Sequence, residues 1–213
     1  MLDENCKDVV RLLEIHGQLT QGTPGRKHRV AVLNKSAVMM TCAFWEAYVE
    51  DVCAEAVDHL VDHIEHPAQL PMDLRKELAA KIKEEHHELA VWRFADDGWR
   101  TVIRENREKL VRERNHSFMS PKSHQVDKLF KETLGIPAIT DDWSRPKMDS
   151  AHCRVRLDHY VTLRGDLAHR GAPQAPIHKR HCTEFLRHIK RLGDCIDASL
   201  DGAVREAGAP ALF

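Results

Sequence analysis

An all-α fold is predicted for this chain by three features of its pattern. Between residues 26 and 66 there is no glycine or proline, and Val30, Val32, Leu33, Val38, Phe44, Trp45, Tyr48, Val52, Ala56, Leu60 and Ile64 recur at steps of helical type. Helix punctuation follows at Pro67 and Pro71 and again at Leu134-Gly135. Strand candidates are missing, because short β-branched runs such as Val161-Thr162-Leu163 lie inside helical patterns and are not bounded by hairpin turns.

Taken in order, Val9, Leu12, Leu13 and Ile15 predict a first helix ending near Gly17, and the run QGTPG at 21–25 breaks it. The second helix, over 26–66, would be on the order of 60 Å long at 1.5 Å per residue, so it is expected to be a spine or to be kinked. A third, more polar helix is predicted over 72–93, with Trp92 and Phe94 anchoring its end. The turn ADDG at 95–98 restarts a basic helix over 99–114. Ser120 reads as an N-cap with Pro121 at the first helical position, and Gly135 as the stop of a short helix whose inner face is Val126, Leu129 and Phe130. After a loop at 136–147, two last helices are expected over 148–169 and 177–204, split by RGAPQAP at 170–176. No internal repeat or low-complexity linker interrupts the chain, which predicts one domain over 1–205 and a frayed tail over 206–213.

Composition narrows the function. Lys plus Arg number 32 against 33 Asp plus Glu, so no global field draws the protein to nucleic acid or an anionic membrane, and a polyanion site has to be local. The 6 cysteines form no CxxC pair and mostly stand beside apolar residues, as reduced, buried thiols of a cytoplasmic protein do. Neither a leader pattern nor an apolar run long enough to span a membrane is seen. The 15 histidines include His59/His63, with His66 a turn on, and His178/His181 at helical ligand spacing. No HExxH arrangement accompanies them, and adjacent His86-His87 point apart on a helix, so no metal or other cofactor is expected.

The stretch LRGDLAHRG at 163–171 carries the chemistry. Arg164 is a permanent guanidinium, and five positions later His169 is the side chain that exchanges protons near neutral pH. RNA transesterification needs that pair: an imidazole to take the 2′-hydroxyl proton or protonate the departing 5′-oxygen, and a guanidinium to hold the phosphate oxygens as charge builds on them. Five residues on a regular helix rotate the side chain by about 140°, so convergence requires a distorted last turn, which Gly165 would permit, or a groove shared by two copies. Glu46 lies in an apolar neighbourhood with Tyr48 and is a candidate partner of the Arg-His pair.

The pattern R-x4-H near a helix end resembles the HEPN superfamily, and more narrowly its RiboL-PSP type. CAFWEAYVEDV, NHSFMSPKSHQVDKLFKETLGI and LRGDLAHRG carry the likeness, which covers residues 30 to 195. The resemblance implies a HEPN-like helical bundle with one long central helix and additional short helices, and a metal-independent ribonuclease working as a dimer in toxin or defence systems. It matches Arg164 to the phosphate-contacting arginine and His169 to the catalytic histidine. Many members place a polar residue, often Asn, directly after the arginine, whereas Gly165 stands there in this chain and Asp166 one place later. Asp166 is the candidate for orienting His169 or Arg164.

RNA is the expected partner, alongside a second copy of the chain and an antitoxin or defence partner protein. Arg170, Lys179, Arg180, Arg187, Lys190 and Arg191 are the candidate RNA contacts. The helix carrying Arg100, Arg104, Arg107, Lys109, Arg112 and Arg114, with Trp99 for stacking, is interleaved with Glu105, Glu108 and Glu113 and reads first as a solvated face. The alternative to an enzyme is a catalytically silent helical module that binds RNA or a protein.

Overall fold

A computed structural model describes residues 2–20, 30–85, 87–114, 121–144, 148–170 and 176–213, with no side-chain description at 77, 109–114 and 170. The breaks expected at 21–25 and 170–176 and the Ser120 cap lie outside the described residues, save for Arg170, which ends a helix, and Pro176. The expected all-α class holds: α1 is Leu2–Thr20, α2 Ala31–His63, α3 Met72–Glu84, α4 Gly98–Arg114, α5 Ser123–Leu134, α6 Ser150–Arg170 and α7 Lys179–Glu206, with no strand among the described residues. Three short 3-10 segments, Pro67–Gln69, Ala90–Phe94 and Ile139–Asp142, accompany them among the described residues.

Several predicted ends move. Helix α1 runs through Gly17 to Thr20, whose hydroxyl donates back to the Gly17 carbonyl. The helix predicted over 72–93 stops at Glu84, and Trp92, expected as an anchor, is 69% exposed. Helix α5 starts at Ser123, leaving Pro121 before it. At its other end Gly135 adopts φ +72°, a left-handed stop that other residues adopt at a cost.

The chain packs as two compact units: Met1–Tyr48 with Ser120–Ser123 and Trp143–Cys195, and Val49–Met119 with His124–Asp142 and Ile196–Phe213. In the first, Trp45 is fully buried, donates its indole N–H to the Pro121 carbonyl at 3.2 Å, and meets the Trp143 ring edge-on at 6.0 Å. Tyr160 stacks on Phe185 with centroids 4.1 Å apart, which fastens α6 to α7. The Ser123 N–H and hydroxyl both donate to the Asp158 carboxylate, at 2.7 and 3.0 Å.

In the second unit, the basic residues of α4 turn onto α2. Arg100 donates to the carbonyls of Val61 and Ile64, which the end of α2 leaves without helical partners; Arg104 pairs with Asp62, and Arg107 with Asp58 at 3.1 Å. Trp99 is 2% exposed beneath Arg100, whose guanidinium lies 4.4 Å from its ring centroid. Neither sequence reading of that helix, RNA track or solvated face, describes what these three arginines do; the side chains of Lys109, Arg112 and Arg114 lie outside the described residues. The tail expected to fray is tied down: the Leu212 N–H donates to Asp201, His59 Nε2 lies 2.9 Å from the Pro210 carbonyl, and Gly208, at φ +86°, closes α7 with the Ala209 N–H on the Val204 carbonyl.

Candidate active site

All five residues of the sequence-derived centre belong to the first unit, on α2 and α6. The start of α6 is set by Asp149, whose carboxylate accepts the His152 N–H at 2.8 Å and is held below the usual carboxylate range by that bond and by the His152 ring. Three turns further, Tyr160 packs on Phe185 and donates its hydroxyl to the His181 carbonyl at 3.1 Å. The helix then continues without a break through Gly165 to Arg170. The distorted last turn expected at Gly165 does not occur.

One turn beyond Tyr160, Arg164 reaches α2. Its Nη2 stands 4.0 Å from Glu46 Oε2, with the two side chains 27% and 26% exposed. That is a single long ionic contact and not the bidentate fork that guanidinium and carboxylate form at closest approach. Burial pushes the Glu46 carboxyl above its ordinary value, while the Arg164 charge pulls it back. Four residues earlier on the same face of α2, Cys42 lies within reach of both charges. Its thiol is pushed up to about 12 by burial, against the pull of Arg164, and donates weakly to the Tyr160 carbonyl at 3.8 Å. Sequence reading found Glu46 but not Cys42, although the i, i+4 step from Cys42 to Glu46 marks one helix face.

The other candidates do not join this contact. Tyr48 is two residues from Glu46, about 200° around α2; it is buried, and its hydroxyl donates to the Gly193 carbonyl at 3.0 Å. His169 is exposed, about 140° around α6 from Arg164. Among the described residues no hydrogen bond joins Asp166 to His169 or to Arg164. Gly165 and His169 share a face four residues apart, and a Cβ built at Gly165 meets nothing within 4 Å. On the α2 side, Leu167 with Lys35, Ser36, Met39 and Met40 lines a recess of about 420 Å³.

The candidate RNA contacts on α7 divide. Lys190 is engaged by Asp3 at 2.7 Å, which raises the lysine and lowers the carboxylate. Lys179 approaches α1, its Nζ lying 3.1 Å from where a Cβ on Gly17 would be. Arg180, Arg187 and Arg191 fall on one exposed stripe of the helix. Arg180 donates to the His181 ring at 3.3 Å. The Arg170 side chain lies outside the described residues.

The His59 and His63 rings lie 4.2 Å apart and His178 and His181 5.2 Å apart, and no group of three His, Cys, Asp or Glu able to hold an ion occurs among the described residues. No described helix is long and apolar enough to cross a membrane.

The seven helices among the described residues, with Arg164 and His169 near the end of the sixth, are consistent with a HEPN fold. The family model for RiboL-PSP-HEPN matches residues 4–202, and the chain belongs to that family. Comparisons with curated proteins and with solved structures each return no match. The family includes ribonucleases, and membership is compatible with a ribonuclease or nucleotide-binding activity.

Proposed function

We propose that the chain is a metal-independent endoribonuclease that works as a homodimer, with His169 as general acid or base and Arg164 stabilising the phosphorane. The observation that carries this reading is the unbroken course of α6 through Gly165. A regular helix holds Arg164 and His169 about 140° apart, so one protomer does not present both to one phosphate, whereas a two-fold axis places two of each around a common groove. Among the described residues nothing lies within 4 Å of a Cβ added at Gly165, which supports an approach of the strand or of the second copy on that face of α6.

In the step itself, the 2′-oxygen bonds to phosphorus as its proton passes to a base, and the P–O5′ bond breaks as that oxygen gains a proton. The products carry a 2′,3′-cyclic phosphate and a 5′-hydroxyl. The guanidinium offsets the negative charge that gathers on the non-bridging oxygens. Arg180, Arg187 and Arg191 are the proposed backbone contacts, with Arg170 beside the motif; Asp166 orients His169 once RNA is bound. The proposed setting is a toxin or defence system with a neutralising partner protein.

The test is RNA cleavage in excess EDTA. Wild type is expected to cut, and His169→Ala to cut about 10²- to 10⁴-fold more slowly, the usual loss for one acid-base group. Equal rates would remove His169 from the mechanism. A second reading, a silent module that binds RNA or protein through the same surface, is favoured by the missing Asp166–His169 bond and by the Glu46 contact of Arg164. It predicts binding that weakens with salt and no turnover. Expression in a growing host separates the two, since an active toxin arrests growth only with His169 present.

A further inference from the structure

The second unit holds a cavity of about 520 Å³ that shares no lining residue with the proposed nuclease centre and is within the size range of small-molecule sites. Its buried lining is Leu70, Leu78 and Trp99, none more than 4% exposed, and Ile82 and Phe94 extend the apolar wall toward solvent. Water in such a space finds few hydrogen-bond partners and is readily displaced by apolar groups. The two charged residues of the lining are both basic and exposed: Arg75 and Lys83, eight residues apart on α3.

Those two cations differ from their neighbours. Lys76 is engaged by Asp73 and Lys81 by Asn106. Among the described residues, by contrast, the side chains of Arg75 and Lys83 have no partner. An open apolar recess edged by uncompensated positive charge suits an apolar body with a single anionic head. We propose that this cavity binds a free amphiphilic carboxylate of fatty-acid type, its chain between α3 and the Trp99 end of α4 and its carboxylate on Arg75 or Lys83. Arg75 offers the planar two-donor fork, Lys83 a single ammonium. The site is independent of the nuclease reading, since no lining residue is shared with α6.

The experiment is isothermal titration of the full chain with dodecanoate below its micelle concentration, beside the neutral analogue dodecan-1-ol. Burying the chain predicts one site with a Kd below about 100 μM. The double variant Arg75→Ala/Lys83→Ala is expected to weaken dodecanoate about tenfold and to change the alcohol less than twofold, because it removes only the charge-assisted bonds to the head. Ala79→Trp, at an exposed position of the same lining, is expected to weaken both ligands at least tenfold by filling the space. Absence of dodecanoate binding to wild type overturns the proposal, as does binding to the double variant at full strength. An equal loss of acid and alcohol in that variant, whose exposed substitutions leave the apolar walls in place, overturns the role of the cations. Preference for a partner peptide would appear as the first of these outcomes.

Discussion

Glu46 shows what a half-buried carboxyl costs and how it is held. Burial raises its pKa from the ordinary 4.5, and Arg164 at 4.0 Å opposes the rise without cancelling it. A carboxyl raised in the folded state binds its proton more tightly there than in the unfolded chain, so stability falls as pH climbs from 4.5 through the raised value and stays lower above it. Urea denaturation at stepped pH is expected to show that loss in wild type, and Glu46→Gln, which cannot ionise, is expected to flatten this part of the profile. An unchanged profile would mean the carboxyl is not desolvated. Glu46 was legible because a charge among Phe44, Trp45 and Val49 is anomalous. Cys42 was not, since a cysteine on an apolar face reads as packing, and the Arg164 charge that singles it out lies 122 positions away in the sequence. Tyr48 misled for a related reason: nearness in sequence to Glu46 is not nearness on a helix, and its hydroxyl belongs to Gly193.

At the level of the helix, two glycines invite a direct comparison. Gly165 in α6 and Gly202 in α7 both have room for a methyl group, with nothing within 4 Å of an added Cβ. Replacing either by Ala is expected to raise stability by about 0.5–1 kcal/mol, the cost of glycine in a helix interior. Thermal or urea unfolding reads that gain. If the face of Gly165 and His169 accepts RNA or a second copy, Gly165→Ala lowers turnover while Gly202→Ala leaves it alone; equal activities would show that the space beside Gly165 is unused. Element existence was readable here, and element ends were less so. Periodicity located each of the seven helices among the described residues, but Gly17 sits inside α1 because a glycine need not end a helix whose apolar face continues. The apolar residues Val91, Trp92 and Phe94 prolonged the predicted third helix beyond Glu84, although they lie in a separate 3-10 turn beside a cavity. The arginines of α4 carried no mark in sequence of the carbonyls and carboxylates of α2 that engage them.

Neither compact unit is a continuous stretch of chain. Each takes part of α2, divided after Tyr48, and part of α7, divided after Cys195. Composition and spacing could not reveal this, because no linker marks a division that falls inside two helices. Helix α7 contributes fully buried Phe185 and Ile189 to the first unit, and Leu200, equally buried, to the second. A chain ended at residue 178 therefore leaves both cores open, and it is expected to lose the cooperative unfolding transition seen by circular dichroism and to retain only labile helix. A sharp transition in that fragment would show that one unit folds without α7.

The placement of α7 also bears on synthesis. Translation delivers residues at roughly 5–20 per second, and domains usually fold as they emerge. Here Arg164 and His169 are made before the helix that completes either core. The residues of the candidate site therefore wait, after their own synthesis, on a later segment for the packing that holds them.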